Sequence, residues 1–236
     1  MARPSGRPRT PRIPVRPDAL SPQRLTVQVK AELSYLLALP PEYHANEKKR
    51  WPLVVFLHGI GERGANLTRV RRHGLPRLVA AGKTFPFILV APQCPANTWW
   101  NAAVVDAFAG RIQQLLAVDP RRVYLTGLSM GGFGTWATAL HNPRRYAALV
   151  PVCGGGEVRQ AEALCRTPVW AFHGAKDLTV PVQRSREMIR AVRKAGGHPR
   201  LTVYPETGHN AWDQTYADER LYRWMLAQRT SKKRTL

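Results

Sequence analysis

Short apolar runs that alternate with helical patterns are the feature that most constrains how this chain can fold. Leu53–Leu57 is apolar at every position, which is typical of a strand covered on both faces. Five similar runs follow at Phe87–Ala91, Arg122–Leu125, Ala147–Val152, Pro168–His173 and Leu201–Tyr204. Helical patterns separate them at 66–82, 105–116, 136–140, 180–195 and 214–228. Strands that alternate with helices predict an α/β fold with a mostly parallel central sheet and helices on both faces.

Prolines and glycines predict where several of these elements end. Pro40 and Pro41 should end a strand over Leu33–Leu39 at the edge of the sheet, and Thr26–Val29 also has a strand pattern. Gly74–Pro76 should interrupt the helical stretch 66–82. Asp119 and Pro120 should close the helix that begins near Val105.

The chain of 236 residues is long enough for one domain with a sizeable core, which we place at 25–229. The segment 1–24 holds six arginines and one aspartate among many prolines, and we expect a disordered basic tail there. The segment 230–236 is a second, shorter basic tail.

The formal net charge is +21, and it is spread along the chain. Such a charge favours non-specific binding to polyanions, although it equally fits a solvated surface rich in arginine. No apolar run is long enough to span a bilayer, and no secretory signal is visible. The odd number of cysteines, three, argues against a full disulfide framework, and their wide spacing forms no metal-ligand pattern, so we expect a reduced cytoplasmic setting.

The motif Gly127-Leu128-Ser129-Met130-Gly131 lies between the strand pattern at Arg122–Leu125 and the helical pattern at 136–140. The pattern G-x-S-x-G is typical of a sharp strand-to-helix turn that exposes a nucleophilic serine. The helix that follows adds free N–H groups where negative charge develops. A glycine-rich turn with a merely solvated serine is the alternative interpretation.

Two further loops follow predicted strands and carry residues suited to acid and base chemistry. Asp177 comes just after Pro168–His173, and His209 comes just after Leu201–Tyr204. The carboxyl ends of parallel strands share one edge of a sheet, so we expect both residues to lie near Ser129. Asp213 and Glu206 are weaker candidates for the acid, because Asp213 follows the histidine and Glu206 lacks a strand-end loop of its own.

These motifs, together with Phe56–Gly64 and Gly208–Trp212, resemble compact carboxylesterases of the α/β-hydrolase superfamily. The nearest resemblance is to polyhydroxybutyrate depolymerases, feruloyl esterases and sequences described as predicted peptidases. The resemblance covers about 33–227 and implies a Ser129-Asp177-His209 triad. It also implies an oxyanion hole built from the backbone N–H groups of Met130 and Ile60.

The same resemblance guides the interpretation of the surrounding residues. We expect His58 to brace the glycine-rich loop, and Glu62 and Arg63 either to pair with each other or to close that loop. Trp100 and Trp212 are candidate pocket residues. The short stretch 154–167 leaves no room for a large lid, and neither a metal nor a cofactor is implied.

The sequence therefore predicts a serine carboxylic-ester hydrolase that works through an acyl-enzyme on a small-molecule or polymeric ester. Two alternatives stay open at this point. One is a serine peptidase on the same fold, because the triad alone does not separate esters from amides. The other is a basic polyanion-binding protein with a vestigial or secondary hydrolase site. The oligomeric state is left open.

Overall fold

A seven-stranded sheet is the centre of the structure, a computed structural model that describes residues 30–44 and 48–231. The strand order is β1-β3-β2-β4-β5-β6-β7. Only β1, at one edge, runs antiparallel to its neighbour, and the other pairings are parallel, as the sequence predicts. The strands are β1 Tyr35–Ala38, β2 Trp51–Leu57, β3 Ile88–Pro92, β4 Val118–Leu128, β5 Ala148–Val152, β6 Trp170–Gly174 and β7 Arg200–Tyr204.

Six α-helices connect or follow these strands within the described residues. They are α1 Gly74–Ala80, α2 Ala102–Leu115, α3 Met130–His141, α4 Gln183–Lys194, α5 Trp212–Ala217 and α6 Glu219–Ala227. Short 3₁₀ helices lie at Ile60–Glu62, Leu67–Arg72 and Val158–Leu164.

Helices cover both faces of the sheet, which explains the unbroken apolar run in β2. All seven residues of β2 are buried. Leu53, Val55 and Leu57 pack in one core with residues of α2, α3 and α4, whereas Val54 and Phe56 pack in a second core with residues of α1, α5 and α6. Because successive side chains of a strand point to opposite faces, a strand between two cores must be apolar throughout.

The prediction that Asp119 and Pro120 close a helix is wrong. Helix α2 ends at Leu115, Leu116 is already extended, and both predicted breakers lie inside β4. The pairing of β2 with β4 shifts register here, since Trp51 pairs with Val118 and Leu53 pairs with Val123. A bulge of this kind tolerates proline because the ladder hydrogen bonds are already interrupted.

Two other helix predictions differ in detail. The stretch 66–82 is a 3₁₀ helix followed by α1, which begins at Gly74 with a positive φ of 61° and holds Pro76 in its first turn. The stretch 214–228 is divided at Asp218, whose backbone is extended and whose carboxylate accepts from Arg220 N to cap α6. The predictions for 1–24, Thr26–Val29 and most of 230–236 fall on residues outside those described.

The connection between β5 and β6 is the place where this arrangement of strands would admit a cap. It holds only the 3₁₀ helix Val158–Leu164, whose Ala161 and Leu164 are buried in the core. No large lid forms there, as the sequence predicts. Within residues 30–44 and 48–231, no helix has the length and apolar character needed to cross a membrane.

Close packing of backbone at Gly131 yields a stability prediction. A Cβ built at Gly131 would lie 1.9 Å from the carbonyl oxygen of Leu57, whereas a Cβ at Gly61 would meet no atom within 4 Å. We therefore expect Gly131→Ala to lower the free energy of unfolding by about 3 kcal/mol, because α3 must move off β2. Gly61→Ala, the matched control, should change it by less than about 0.5 kcal/mol. Urea denaturation followed by circular dichroism measures both, and equal midpoints would contradict the packing argument.

Candidate active site

Ser129 occupies a sharp turn between β4 and α3. Its backbone has φ 52° and ψ −117°, a strained combination for a residue with a side chain. Its N–H donates to Val152 O at 2.9 Å, which anchors the turn to the end of β5. Gly127 and Gly131 allow the turn, because a Cβ on Gly127 would lie 2.4 Å from Gly131 O. The hydroxyl is thus held, partly exposed, at the start of α3.

The structure brings Ser129, His209 and Asp177 together in one hydrogen-bonded relay. His209 Nε2 lies 2.9 Å from Ser129 Oγ, and His209 Nδ1 lies 2.7 Å from Asp177 Oδ2. The three residues follow β4, β7 and β6, whose carboxyl ends meet at one edge of the sheet. A carboxylate that accepts from Nδ1 leaves Nε2 free to accept a proton from the serine.

Asp177 is a buried carboxylate whose oxygens are well supplied with donors. The backbone N–H groups of Thr179 and Val180 donate to Oδ1 at 2.9 and 2.8 Å. Burial by itself raises the pKa of Asp177, but the hydrogen bonds from His209, Val180 and Thr179 outweigh it and hold the pKa below its ordinary value. The carboxylate is therefore ionised at neutral pH.

The two weaker acid candidates lie in other interactions. Glu206 forms an exposed ion pair with Lys176. Asp213 accepts from Arg77 at 3.1 Å and from Asn210 at 2.8 Å. Neither of these contacts involves His209, so among the three acids only Asp177 forms a hydrogen bond with the imidazole in the described part of the chain.

The glycine-rich loop after β2 lies against the serine turn, since a Cβ built at Gly59 would lie 3.0 Å from Leu128 Cδ1. Ile60 is the first residue of the 3₁₀ helix Ile60–Glu62, and Met130 is the first residue of α3. The N–H groups at a helix start have no partner within the helix and can bind an anion. Glu62 Oε2 accepts from Gly59 N at 3.0 Å, while Arg63 donates to Ile60 O and to Thr98 O. Glu62 and Arg63 thus close the loop, one of the two alternatives left by the sequence.

His58 braces this loop from below, as predicted. Its Nε2 accepts from Cys94 N at 2.9 Å, so Nδ1 carries the proton and donates to Gly59 O at 2.6 Å. Burial lowers the pKa of His58 to about 4, and the neutral ring is the form that satisfies both partners.

Comparison with known proteins agrees with this geometry. Residues 94–223, more than half of the chain, match the sequence profile of the dienelactone hydrolase family. The chain belongs to that family. The match includes Ser129, Asp177 and His209 and confirms the resemblance to α/β-hydrolases of the esterase type.

Two proteins whose names are provisional are similar to this chain in sequence. A carboxymethylenebutenolidase of Yersinia pestis is 33% identical over 101 residues, which cover 39% of this chain and 38% of that protein. A feruloyl esterase C of Aspergillus niger is 26% identical over 196 residues, covering 77% of this chain and 68% of that protein. The chain thus spans about two fifths of the length of the first of them.

A solved structure supports the fold independently. The crystal structure of a thermostable esterase superposes with a TM-score of 0.73 and 31% sequence identity. The alignment covers 84% of this chain and 60% of the esterase. The α/β-hydrolase fold of this family member is therefore clear.

The two tryptophans predicted to line a pocket are both buried against the site. Trp100 donates from Nε1 to His58 O at 3.1 Å and packs on the His58 ring. Trp212 packs edge-on against His209, with ring centroids 5.1 Å apart. Trp99, by contrast, is 60% exposed and contacts Phe133. A role for Trp100 and Trp212 in holding substrate stays a prediction.

Sequence reasoning missed a buried polar group behind the relay. The sulfur of Cys153, a ring nitrogen of His173 and a carboxylate oxygen of Asp177 all lie within 4.8 Å of one another. Three such atoms could hold a metal ion. Each of those atoms already has a protein partner: Cys153 Sγ contacts His209 O, His173 contacts Val180 O and Ser185 Oγ, and Asp177 contacts His209. The sequence signal that could have indicated this group is His173, a histidine at the end of an apolar strand pattern.

The buried ring of His58 makes the stability of the protein depend on pH. Its pKa falls from 6.5 to about 4 on folding, so between those values the unfolded chain binds a proton that the folded chain does not. Stability from this group is therefore present above about pH 6.5 and is lost as the pH falls towards 4.

We expect the wild type to lose about 2 kcal/mol more unfolding free energy than His58→Gln between pH 7 and pH 4.5. Glutamine keeps an acceptor for Cys94 N but does not titrate. Urea denaturation at the two pH values measures the difference. Parallel losses in the two proteins would show that His58 does not contribute.

Proposed function

We propose that the chain is a serine carboxylic-ester hydrolase that works through an acyl-enzyme. The observation that carries the proposal is the relay in which His209 Nε2 is 2.9 Å from Ser129 Oγ and His209 Nδ1 is 2.7 Å from Asp177 Oδ2. A serine hydroxyl is a weak nucleophile near neutral pH and needs an adjacent base of this kind. The ester-cleaving names of the relatives support the same chemistry.

In the first half of the reaction, Ser129 Oγ attacks the ester carbonyl and passes its proton to His209 Nε2. Asp177 accepts from Nδ1 and stabilises the imidazolium that forms. The carbonyl oxygen becomes an oxyanion, and we assign the backbone N–H groups of Ile60 and Met130 as its donors. Loss of one such donor typically slows turnover by about 100- to 1000-fold.

The tetrahedral intermediate then collapses, and His209 gives its proton to the departing alcohol oxygen, which completes acylation. The acyl group stays on Ser129 Oγ. A water molecule then attacks the acyl carbonyl while His209 takes one of its protons, and the acid leaves as the serine recovers its hydrogen. The net reaction is hydrolysis of one ester bond.

Exposed apolar side chains on the loops that carry site residues support an ester with an apolar group. Three large apolar side chains lie exposed on loops that carry site residues: Ile60 is 50%, Trp99 is 60% and Leu178 is 97% exposed. Arg63 bonds to Thr98 O, which ties the loop of Ile60 to the loop of Trp99. Such exposure is unfavourable in water, and contact with an apolar substrate would remove it.

The basic surface supports the polyanion-binding alternative, which can coexist with catalysis. Helix α4 exposes Arg186, Arg190, Arg193 and Lys194 on its outer side, with Glu187 as its one acidic residue. A cationic helix face attracts polyanions in a salt-dependent manner. This role stays a prediction, and it does not require Ser129.

Removal of the proposed nucleophile is the direct test. Ser129→Ala should reduce hydrolysis of a short p-nitrophenyl ester by at least about 10⁴-fold and abolish labelling by a fluorophosphonate, because no acyl-enzyme can form. The control is Ser231→Ala, an exposed serine outside the site, which should be fully active. Retained ester hydrolysis in pure Ser129→Ala would refute the proposal, and faster cleavage of matched p-nitroanilides than of esters would favour the peptidase.

The assignment of the acid is tested by a pair of isosteric variants. Asp177→Asn should lower kcat by about 10⁴-fold with little change in KM, since the amide no longer holds His209 in its reactive tautomer. Asp213→Asn should stay within about twofold of the wild type, because its contacts are to Arg77 and Asn210. Steady-state kinetics on one ester decides, and the reverse ranking of the variants would make Asp213 the acid.

A further inference from the structure

A chain of buried polar contacts lies directly behind Asp177. His173 and Ser185 are both fully buried. His173 Nε2 is 2.8 Å from Val180 O, His173 Nδ1 is 2.8 Å from Ser185 Oγ, and Ser185 Oγ is 2.9 Å from Gly154 O. These contacts join the end of β6, the turn that carries Asp177 and the first turn of α4.

The protons available in this chain fix the tautomer of His173. Val180 O can only accept, so Nε2 must carry a hydrogen. Burial lowers the pKa of His173, which favours the neutral ring and leaves Nδ1 as an acceptor. Ser185 has a single hydroxyl proton, which it donates to Gly154 O at 2.9 Å. The carbonyl of Val180 therefore sets the tautomer and keeps Nε2–H directed at the turn of Asp177.

The same Nε2–H also faces the carboxylate of Asp177, with a distance of 3.2 Å to Oδ2. A carboxylate has about four acceptor positions. Three of these receive Thr179 N, Val180 N and His209 Nδ1. His173 Nε2 approaches Oδ2 while its hydrogen also donates to Val180 O. The carboxylate is thus held from both sides and has little freedom to rotate away from His209.

We propose that His173, in the tautomer that Val180 O fixes, is a positioning residue that holds Asp177 in its productive orientation. The inference rests on the proposed function, because it assigns a role relative to Asp177 as the acid. His173 acts through Asp177 and does not touch the reacting atoms. Its contribution is to orient the carboxylate and to favour its ionised form.

The titratable neighbours of His173 are few in the described chain. Asp177 lies on its own loop, and His209 approaches from the loop after β7. Cys153, at the end of β5, donates from Sγ to His209 O at 3.2 Å. Burial raises the pKa of that thiol to about 12, so it stays neutral and holds the backbone of His209 without adding charge.

The test compares His173→Leu with His173→Gln. Leucine removes the donor at similar volume, whereas glutamine keeps an amide N–H near the Nε2 position. We expect His173→Leu to lower kcat by about 10- to 100-fold with KM nearly unchanged, since a hydrogen bond to a charged group is lost. The acid midpoint of kcat/KM should move to higher pH, because Asp177 loses a donor to its charged form. His173→Gln should recover most of both effects.

Ser185→Ala provides a second measurement on the same chain. The ring keeps Nε2–H because Val180 O still requires it, so we expect a loss of only a few-fold in kcat.

If His173→Leu does not fold, His173→Asn replaces it, because asparagine keeps a polar group towards Ser185 but does not reach Asp177. Thermal unfolding and fluorophosphonate titration normalise each rate to folded, reactive enzyme.

The inference would be overturned if the variants that lack the donor kept the wild-type pH profile of kcat/KM. This holds even if their unfolding temperatures fall, because a purely structural role lowers stability without moving the acid midpoint. This failure differs from failure of the proposed function. Loss of activity in Ser129→Ala with a normal profile in His173→Leu rejects only the role of His173. Full activity in Ser129→Ala rejects the proposed function itself.

Discussion

The contact of α3 with the end of β2 is the constraint on which the site depends. Backbone meets backbone there, since a Cβ at Gly131 would stand 1.9 Å from Leu57 O. This approach forces the chain through the strained turn at Ser129, with φ at 52°. It also brings the first residue of α3 towards the loop that follows β2. One tight contact therefore accounts for the strained turn at Ser129 and brings the start of α3 towards the loop of Ile60.

The parallel sheet accounts for the rest of the constellation. Parallel strands end at a common edge of the sheet, so loops that are far apart in the sequence come together there. Buried polar groups then need partners, because an unpaired group inside the protein is costly. Asp177 shows how this is achieved: it has backbone donors from its own turn, the imidazole of His209 on one side and the buried ring of His173 on the other.

Much of this arrangement could be predicted from the sequence. The apolar run of β2 indicated a strand buried on both faces, and the positions of Ser129, Asp177 and His209 just after predicted parallel strands indicated their convergence. The errors were at element boundaries. Pro120 predicts a helix end because proline ends helices, but a bulge in the pairing of β2 and β4 accommodates it. Asp218 divides a continuous helical pattern because its carboxylate caps a new helix at that position.

The sequence by itself determined the alternation of strands and helices, the strained serine turn and the identity of three residues able to act as nucleophile, base and acid. Those features follow from local periodicity and from glycine positions that exclude side chains. Only the tertiary structure decided that Asp177 and not Asp213 meets His209, that His58 braces the loop as a neutral ring, and that His173 and Ser185 lie behind the acid. The physical reason is that hydrogen-bond partners and burial are set by contacts between distant segments, such as the 32 residues that separate Asp177 from His209.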